Sequence, residues 1–157
     1  MAYERLSEQD FRDFAHLLPA SVTALITVAG FEAAFVLVKH LGGTVMPVGQ
    51  NKTKQGKVLH AVLSEYVGEA AAEKIETAYA GQYKIQIPKC YDVMLAIRNR
   101  AIRRDFDHYT REGRMSSNLA INNLALDYNL ATRRVWDILK LPDAVPAPPD
   151  AQSLLFV

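Results

Sequence analysis

Apolar residues recur along this chain at two spacings, and they divide it into short helices punctuated by glycine and two alternating stretches. Ser7 offers a cap for a helix running to Leu18, with Phe11, Phe14, Ala15 and Leu18 on one side. Pro19 opens a second helix, ASVTALITVA over 20–29, that ends at Gly30, and FEAAFVLVKHL over 31–41 forms a third, stopped by Gly42 and Gly43. TVMPV is short and β-branched enough for a strand, with Pro47 confining it to an edge or to a position that donates no bond. GQNKTKQG reads as a polar loop. After it, Val58 to Val67 is apolar-periodic and ends at Gly68, EAAAEKIETAYA is strongly helical, Gly81 stops it, and QYKIQI alternates as a half-buried strand before Pro88.

The second half of that description repeats the first. At a constant offset of thirty-eight residues Leu25 meets Leu63, Gly30 meets Gly68, Ala33 and Ala34 meet Ala71 and Ala72, and Gly43 meets Gly81. The order helix, glycine, helix, glycine, strand thus occurs over 19–50 and again over 57–88. Two such units would be able to pair their strands, within one chain or between two. Two unrelated helical hairpins would also put glycines at helix ends, so the spacing leaves that alternative open.

From Tyr91 to about Thr110 one long helix is expected, with Val93, Met94, Ile97, Ala101, Ile102, Phe106 and Tyr109 at helical spacing and Arg98, Arg100, Arg103 and Arg104 decorating the rest. REGRMSS then leads as a loop into SSNLAINNLALDYNLATRRVWDILK, Ser116 to Lys140, which reads as two short helices around a tight turn. The first, Asn118 to Tyr128, turns Leu119, Ile121, Leu124, Ala125 and Tyr128 inward, with Ser116 or Ser117 as its cap. Asn129 suits the left-handed backbone of the turn, and the second helix, after Leu130, buries Val135, Ile138 and Leu139.

That second helix leaves Thr132, Arg133, Arg134, Asp137 and Lys140 outside, with Trp136 near the edge of the same face. The set suits a recognition helix in a major groove, where Arg bonds a guanine edge in bidentate fashion and Thr or Lys reaches bases or phosphates. Ser116, Ser117 and Asn118 at the start of the first helix are further candidate DNA contacts. Arg103 and Arg104 on the long helix, and Arg111 and Arg114 in the loop, are placed for phosphates unless Asp105 or Asp107 pairs with the first two. The plain alternative is a solvated charged face on an ordinary helical hairpin.

Charge favours the first reading. The net charge of the 157 residues is only +1, but from Arg98 to Lys140 nine Arg or Lys stand against five acids, while residues 1–97 hold nine bases and ten acids. Half of the residues are apolar, enough for a real core in one compact domain or two small ones. Cys90 is the only cysteine, which excludes an internal disulfide and the usual structural zinc sets and points to a reducing cytoplasm. MAYERLSEQDFRDF has no apolar core of a signal peptide, and no apolar run reaches the roughly 18 residues of a membrane span. His16, His40, His60 and His108 are scattered, each expected at the surface or as a cap, and no catalytic or metal-ligand spacing links them. Neither catalysis nor a cofactor is expected. LPDAVPAPPDAQSLLFV ends the chain as an extended tail, whose Leu154-Leu155-Phe156-Val157 would dock on a partner, on the protein's own sheet edge or on its own core.

Taken together, the order helix, AGQYKIQIPK, AIRNRAIRRDF and LALDYNLATRRVWDILK from Gly68 to Lys140 resembles the Mor/C family, the middle and late transcription activators of Mu-like bacteriophages and prophages. VKHLGGTVMPVGQN, Val38 to Asn51, resembles its glycine, strand and proline element a second time. The resemblance implies a homodimer made by the helix and strand region, with Gln82, Tyr83, Lys84, Ile85, Gln86 and Ile87 as the dimer-sheet strand before Pro88. It also implies a C-terminal helix-turn-helix on an imperfect inverted repeat upstream of phage promoters, with Thr132, Arg133, Arg134 and Asp137 in the recognition helix and host RNA polymerase as a further partner. This chain differs from the family in its extra N-terminal copy, a longer step around His108 to Ser116, and Asn129 in place of the turn glycine.

The expectation is therefore a mainly α (α+β) protein. Residues 1–90 form a helical oligomerisation region with two short strands, 91–141 a three-helix helix-turn-helix domain that binds double-stranded DNA, and 142–157 a Pro-rich tail. Its expected function is sequence-specific transcription regulation in the bacterial cytoplasm as a homodimer. The rival is a phage-encoded interaction module or inhibitor that turns the same arginines towards an acidic host protein complex.

Overall fold

The computed structural model describes residues 7–143. Residues 1–6 and all of the expected tail beyond Asp143, Leu154 to Val157 included, lie outside the described residues. Among the described residues the chain is mainly helical, with eight α-helices and one two-stranded sheet, which is the expected class. They fall into two compact units that divide between Val93 and Met94. No helix among them is long and apolar enough to cross a membrane.

The first unit opens with α1 (Glu8–Asp13), capped by Ser7, whose Oγ accepts from the Asp10 N–H at 3.1 Å. The expected single helix to Leu18 instead stops at Phe14 and becomes a 3-10 turn over Ala15–Leu17. Leu18 precedes Pro19, which disfavours helical backbone there, and Leu18 is extended (φ −69°, ψ 140°). Phe11 and Phe14 are fully buried, with the Phe11 ring 5.2 Å from Phe31 and 5.5 Å from Phe35.

Two stretches of the first unit share one order of elements. In the first copy α2 (Ala20–Ala29) turns through Gly30 into α3 (Phe31–Leu41) and then β1 (Val45–Pro47); in the second, α4 (Lys54–Val67) turns through Gly68 into α5 (Glu69–Ala78) and then β2 (Lys84–Gln86). Gly30 (φ 92°, ψ 162°) and Gly68 (φ 86°, ψ 161°) adopt the same conformation, in a region essentially closed to residues with a Cβ. A single glycine therefore joins consecutive helices with no loop at all.

The two strands pair with each other, antiparallel, as Val45 with Gln86, Met46 with Ile85 and Pro47 with Lys84. Beyond the ladder, the Val48 N–H donates to Tyr83 O (3.0 Å) and the Ile87 N–H to Thr44 O (2.9 Å). Exchanging the copies interconverts these bonds, since Thr44 stands where Tyr83 does and Val48 where Ile87 does; the offset has grown by one residue after Gly81. The strand within Gln82–Ile87 that the family resemblance assigns to a dimer sheet thus has its partner in β1 of the same chain. Packing follows the same exchange: α2 meets α5 as well as α3, and α3 meets α4. Val22, Leu25, Ala34, Leu37 and Val38 of one copy are buried together with Leu63, Ala72, Ile75 and Ile87 of the other.

Two expectations are corrected in the second copy. α4 begins at Lys54, not near Val58, because Thr53 caps it with Oγ1 accepting from the Gly56 N–H at 3.0 Å. The polarity of its first turn conceals it in the sequence: Lys54, Gln55 and Lys57 face solvent. His60, expected at the surface, is buried, with Nδ1 2.8 Å from Oε1 of the equally buried Glu76 on α5. His16, His40 and His108 are exposed, and His40 lies in the last turn of α3, where a helix dipole favours a cation.

Cys90 is buried at the approach to α6 (Tyr91–Asp107), with φ 54°, and burial pushes its thiol up to about 11. A raised thiol pKa keeps the proton on, so at pH 8 only about one molecule in a thousand would carry the thiolate. The native protein should resist iodoacetamide at that pH for the lifetime of the fold, and the urea-unfolded chain should react within minutes. Equal labelling of both, read by mass spectrometry, would show that Cys90 is reachable.

Candidate nucleic-acid interface

The second unit packs three helices around one small core. α7 (Ser117–Asp127) is capped by Ser116, whose Oγ accepts from the Leu119 N–H at 3.3 Å. α8 (Thr132–Lys140) follows after a short turn. Ile102 of α6, Ile121, Leu124 and Ala125 of α7, and Val135 and Ile138 of α8 form the buried cluster, flanked by Phe106, Tyr109, Tyr128, Leu130 and Leu139. One residue expected to face inward does not. Leu119 is 50% exposed and Ala120 is buried in its stead. Leu119 lies about 200° around the helix from Ile121, whereas Ala120 stacks one turn before Leu124.

The turn is closed by backbone bonds from the Tyr128 N–H to Leu124 O and from the Leu130 N–H to Ala125 O, both 2.9 Å. Asn129 has φ 52°, the left-handed conformation expected of it. Two phenols brace the pair: the Tyr128 hydroxyl donates to Asp105 on α6 and the Tyr109 hydroxyl donates to Asp127 on α7, each at 2.7 Å. The bond to the Asp127 carboxylate holds the Tyr109 phenol above its ordinary pKa. Neither brace is visible in the sequence, because each joins residues far apart in the chain.

With Val135 and Ile138 facing inward, α8 turns Thr132, Arg133, Arg134, Trp136 and Lys140 to the exterior, and Asp137 is half-exposed. Arg133 Nε lies 3.4 Å from Asp137 Oδ1, one turn along, and the Lys140 ammonium lies 5.7 Å from the centre of the Trp136 ring. No side chain caps the α8 N-terminus, where Ala131 precedes the helix, so its first N–H groups remain available to an oxygen acceptor from outside. Ser116, Ser117 and Asn118 are exposed at the start of α7. The structure thus puts most of the expected contacts on two helix starts and one helix face.

The arginines before α7 separate into two groups. Arg104, Arg111 and Arg114 are exposed. Arg103 is not placed as the phosphate contact that the sequence suggests: its Nη1 lies 2.7 Å from Asp143 Oδ1, while Arg100 Nε holds the other carboxylate oxygen at 3.1 Å. These half-buried pairs fasten α6 to the segment just past α8. Their signal in the sequence is the three-residue spacing of Arg100 and Arg103 on one helix face; their partner Asp143 lies in the segment that reads as tail. Nor does the chain loop out at Arg111 as expected, since a π-helical turn over His108–Glu112 continues α6, with His108 Nδ1 2.8 Å from Glu112 Oε2. Arg103→Ala should therefore lower the melting stability of this unit by about 1 kcal/mol, as partly exposed charged hydrogen bonds do, with little change in the salt dependence of DNA binding. A loss of affinity without a loss of stability would return Arg103 to the phosphate contacts.

A family model described as the Mor transcription activator family matches residues 35–144, from within α3 to just past α8. No curated protein and no solved structure matches the chain. The family match takes in the whole second copy of the repeat and the helix pair with its exposed arginines. On that match, which spans well over half of its length, the chain belongs to the Mor transcription activator family.

Proposed function

We propose that this family member acts by binding double-stranded DNA, with α7 and α8 as a helix-turn-helix and α8 as the helix that enters the major groove. The observation that carries the reading is the division of α8 into two faces, Val135 and Ile138 in the core and Thr132, Arg133, Arg134, Trp136 and Lys140 outside. Arg133 and Arg134 carry the base-edge chemistry, and Arg104, Arg111, Arg114 and the start of α7 supply phosphate contacts. The family adds a phage or prophage origin and action beside host RNA polymerase in the bacterial cytoplasm. The homodimer on an inverted repeat that the family resemblance also implies would need a surface other than the β1–β2 ladder, because β2 already pairs with β1 of the same chain.

Fluorescence anisotropy on a labelled duplex of arbitrary sequence tests the electrostatic half of the proposal. Between about 50 and 200 mM salt, the logarithm of affinity should fall linearly with the logarithm of salt concentration. Arg104→Ala and Arg111→Ala should each lessen that slope by about one. No binding at the low-salt end would overturn the proposal.

A further inference from the structure

The duplication in the first unit bears on how many DNA half-sites one molecule reads. A symmetric dimer places the same patch of two subunits face to face, and each subunit contributes the same strand edge and the same apolar helix faces. Here both contributions come from one chain. The ladder of β1 and β2 maps onto itself when the copies are exchanged, and so do two of its flanking bonds, Val48 N–H to Tyr83 O and Ile87 N–H to Thr44 O, while the bond from Gly43 N–H to Ile87 O has no counterpart. The contacts of α2 with α5 and of α3 with α4 are exchanged in the same way. Gly43 (φ 86°) and Gly81 (φ 87°) enter the two strands with the same left-handed backbone.

The two copies lead into different elements. After β1 the chain passes from Val48 through Asn51 to the Thr53 cap and continues into α4, the first helix of the second copy. After β2 it passes from Ile87 to α6, and thence to α7 and α8. The two-copy platform of one chain therefore carries one helix-turn-helix, where two separate chains would bring two. The family match spans the second copy entire and, in the first, the part from Phe35 onward, β1 included.

We infer that the first copy takes the place of a second subunit, so that one chain binds one asymmetric half-site of duplex DNA and not an inverted repeat. The inference rests on the DNA-binding reading of α8. A reader with one recognition helix has no joint binding to gain from a second half-site, whereas linked sites gain about a hundredfold or more.

Selection from a randomised duplex pool at near-physiological salt, followed by native mass spectrometry of the chain on the enriched duplex, tests this. The expected result is a motif without two-fold symmetry, one chain per duplex, and a monomer when the protein sediments alone at micromolar concentration. Adding the same motif in inverted orientation one helical turn away should raise affinity by no more than about twofold, the statistical factor for two independent sites, against the hundredfold of joint binding. A symmetric motif, or two chains on a single motif, overturns the inference and leaves α8 as a DNA reader. No enrichment and no binding overturns the DNA-binding reading, and the inference with it.

Discussion

Leu124→Ala should cost the second unit about 2–5 kcal/mol, the range for emptying a fully buried leucine site. Leu124 has no exposed surface and stands among Ile102, Ile121, Val135 and Ile138, where α6, α7 and α8 meet. The unit is small, so a loss of that size takes much of the roughly 5–15 kcal/mol that a domain typically has. Trp136, the only tryptophan, lies on α8, so urea melts followed by its fluorescence report this unit directly. Leu126→Ala, the same change two residues along, is the control. That side chain is 81% exposed, and its loss should alter stability by less than about 0.5 kcal/mol. Similar losses from both would mean that α7 is rotated about its axis relative to the packing described here.

Arg133→Ala should remove about 1–3 kcal/mol of discrimination at one base pair while leaving the protein folded. The side chain is 84% exposed, and its 3.4 Å ion pair with Asp137 is of the solvated kind that contributes little to stability. Arg133 can therefore leave Asp137 for a guanine edge at small cost. Arg104→Ala should behave differently, weakening all sequences alike, since a phosphate contact carries no sequence information. Equilibrium titrations against a selected duplex and its single-base variants separate the two. Equal losses on every duplex for both variants would place Arg133 on the backbone and take base reading away from it.

The parts of this fold that are legible in the sequence are those set by local periodicity and by backbone chemistry. Val135 and Ile138 stand three apart in a short helix whose outer face is mostly charged, and Asn129 occupies the position that needs a positive φ. The matched glycines are legible for a related reason: Gly30 and Gly68 occupy a backbone conformation that a Cβ strains, so the residue type marks the geometry even where the other positions of the two stretches differ. Local periodicity misleads at Leu119, where an apolar residue next to the inward face reads as part of it.

Other features depend on partners brought close only by folding. His60 reads as a surface residue until Glu76 of the next helix is beside it. Arg100 and Arg103 read as helix decoration free for phosphates until Asp143 is placed between them. The start of α4 is hidden by composition, because a solvated first turn is polar whether or not it is helical. For the interface, the outer face of α8 can be read from the sequence as a set of residues, while the choice between Arg103 and Arg104 needs burial, which one strand of text does not contain.

If the outer face of α8 reads bases in the major groove, as proposed, the bound protein covers guanine edges there. Dimethyl sulfate methylates guanine at N7, on the major-groove edge, so protection at guanines reports occupancy of that groove. On a duplex selected by the protein, bound wild-type chain should protect a short cluster of guanines, and Arg133→Ala should restore methylation at one of them under saturating protein. Binding without any protected N7 would contradict the account, since the protein would then be holding DNA by some other surface.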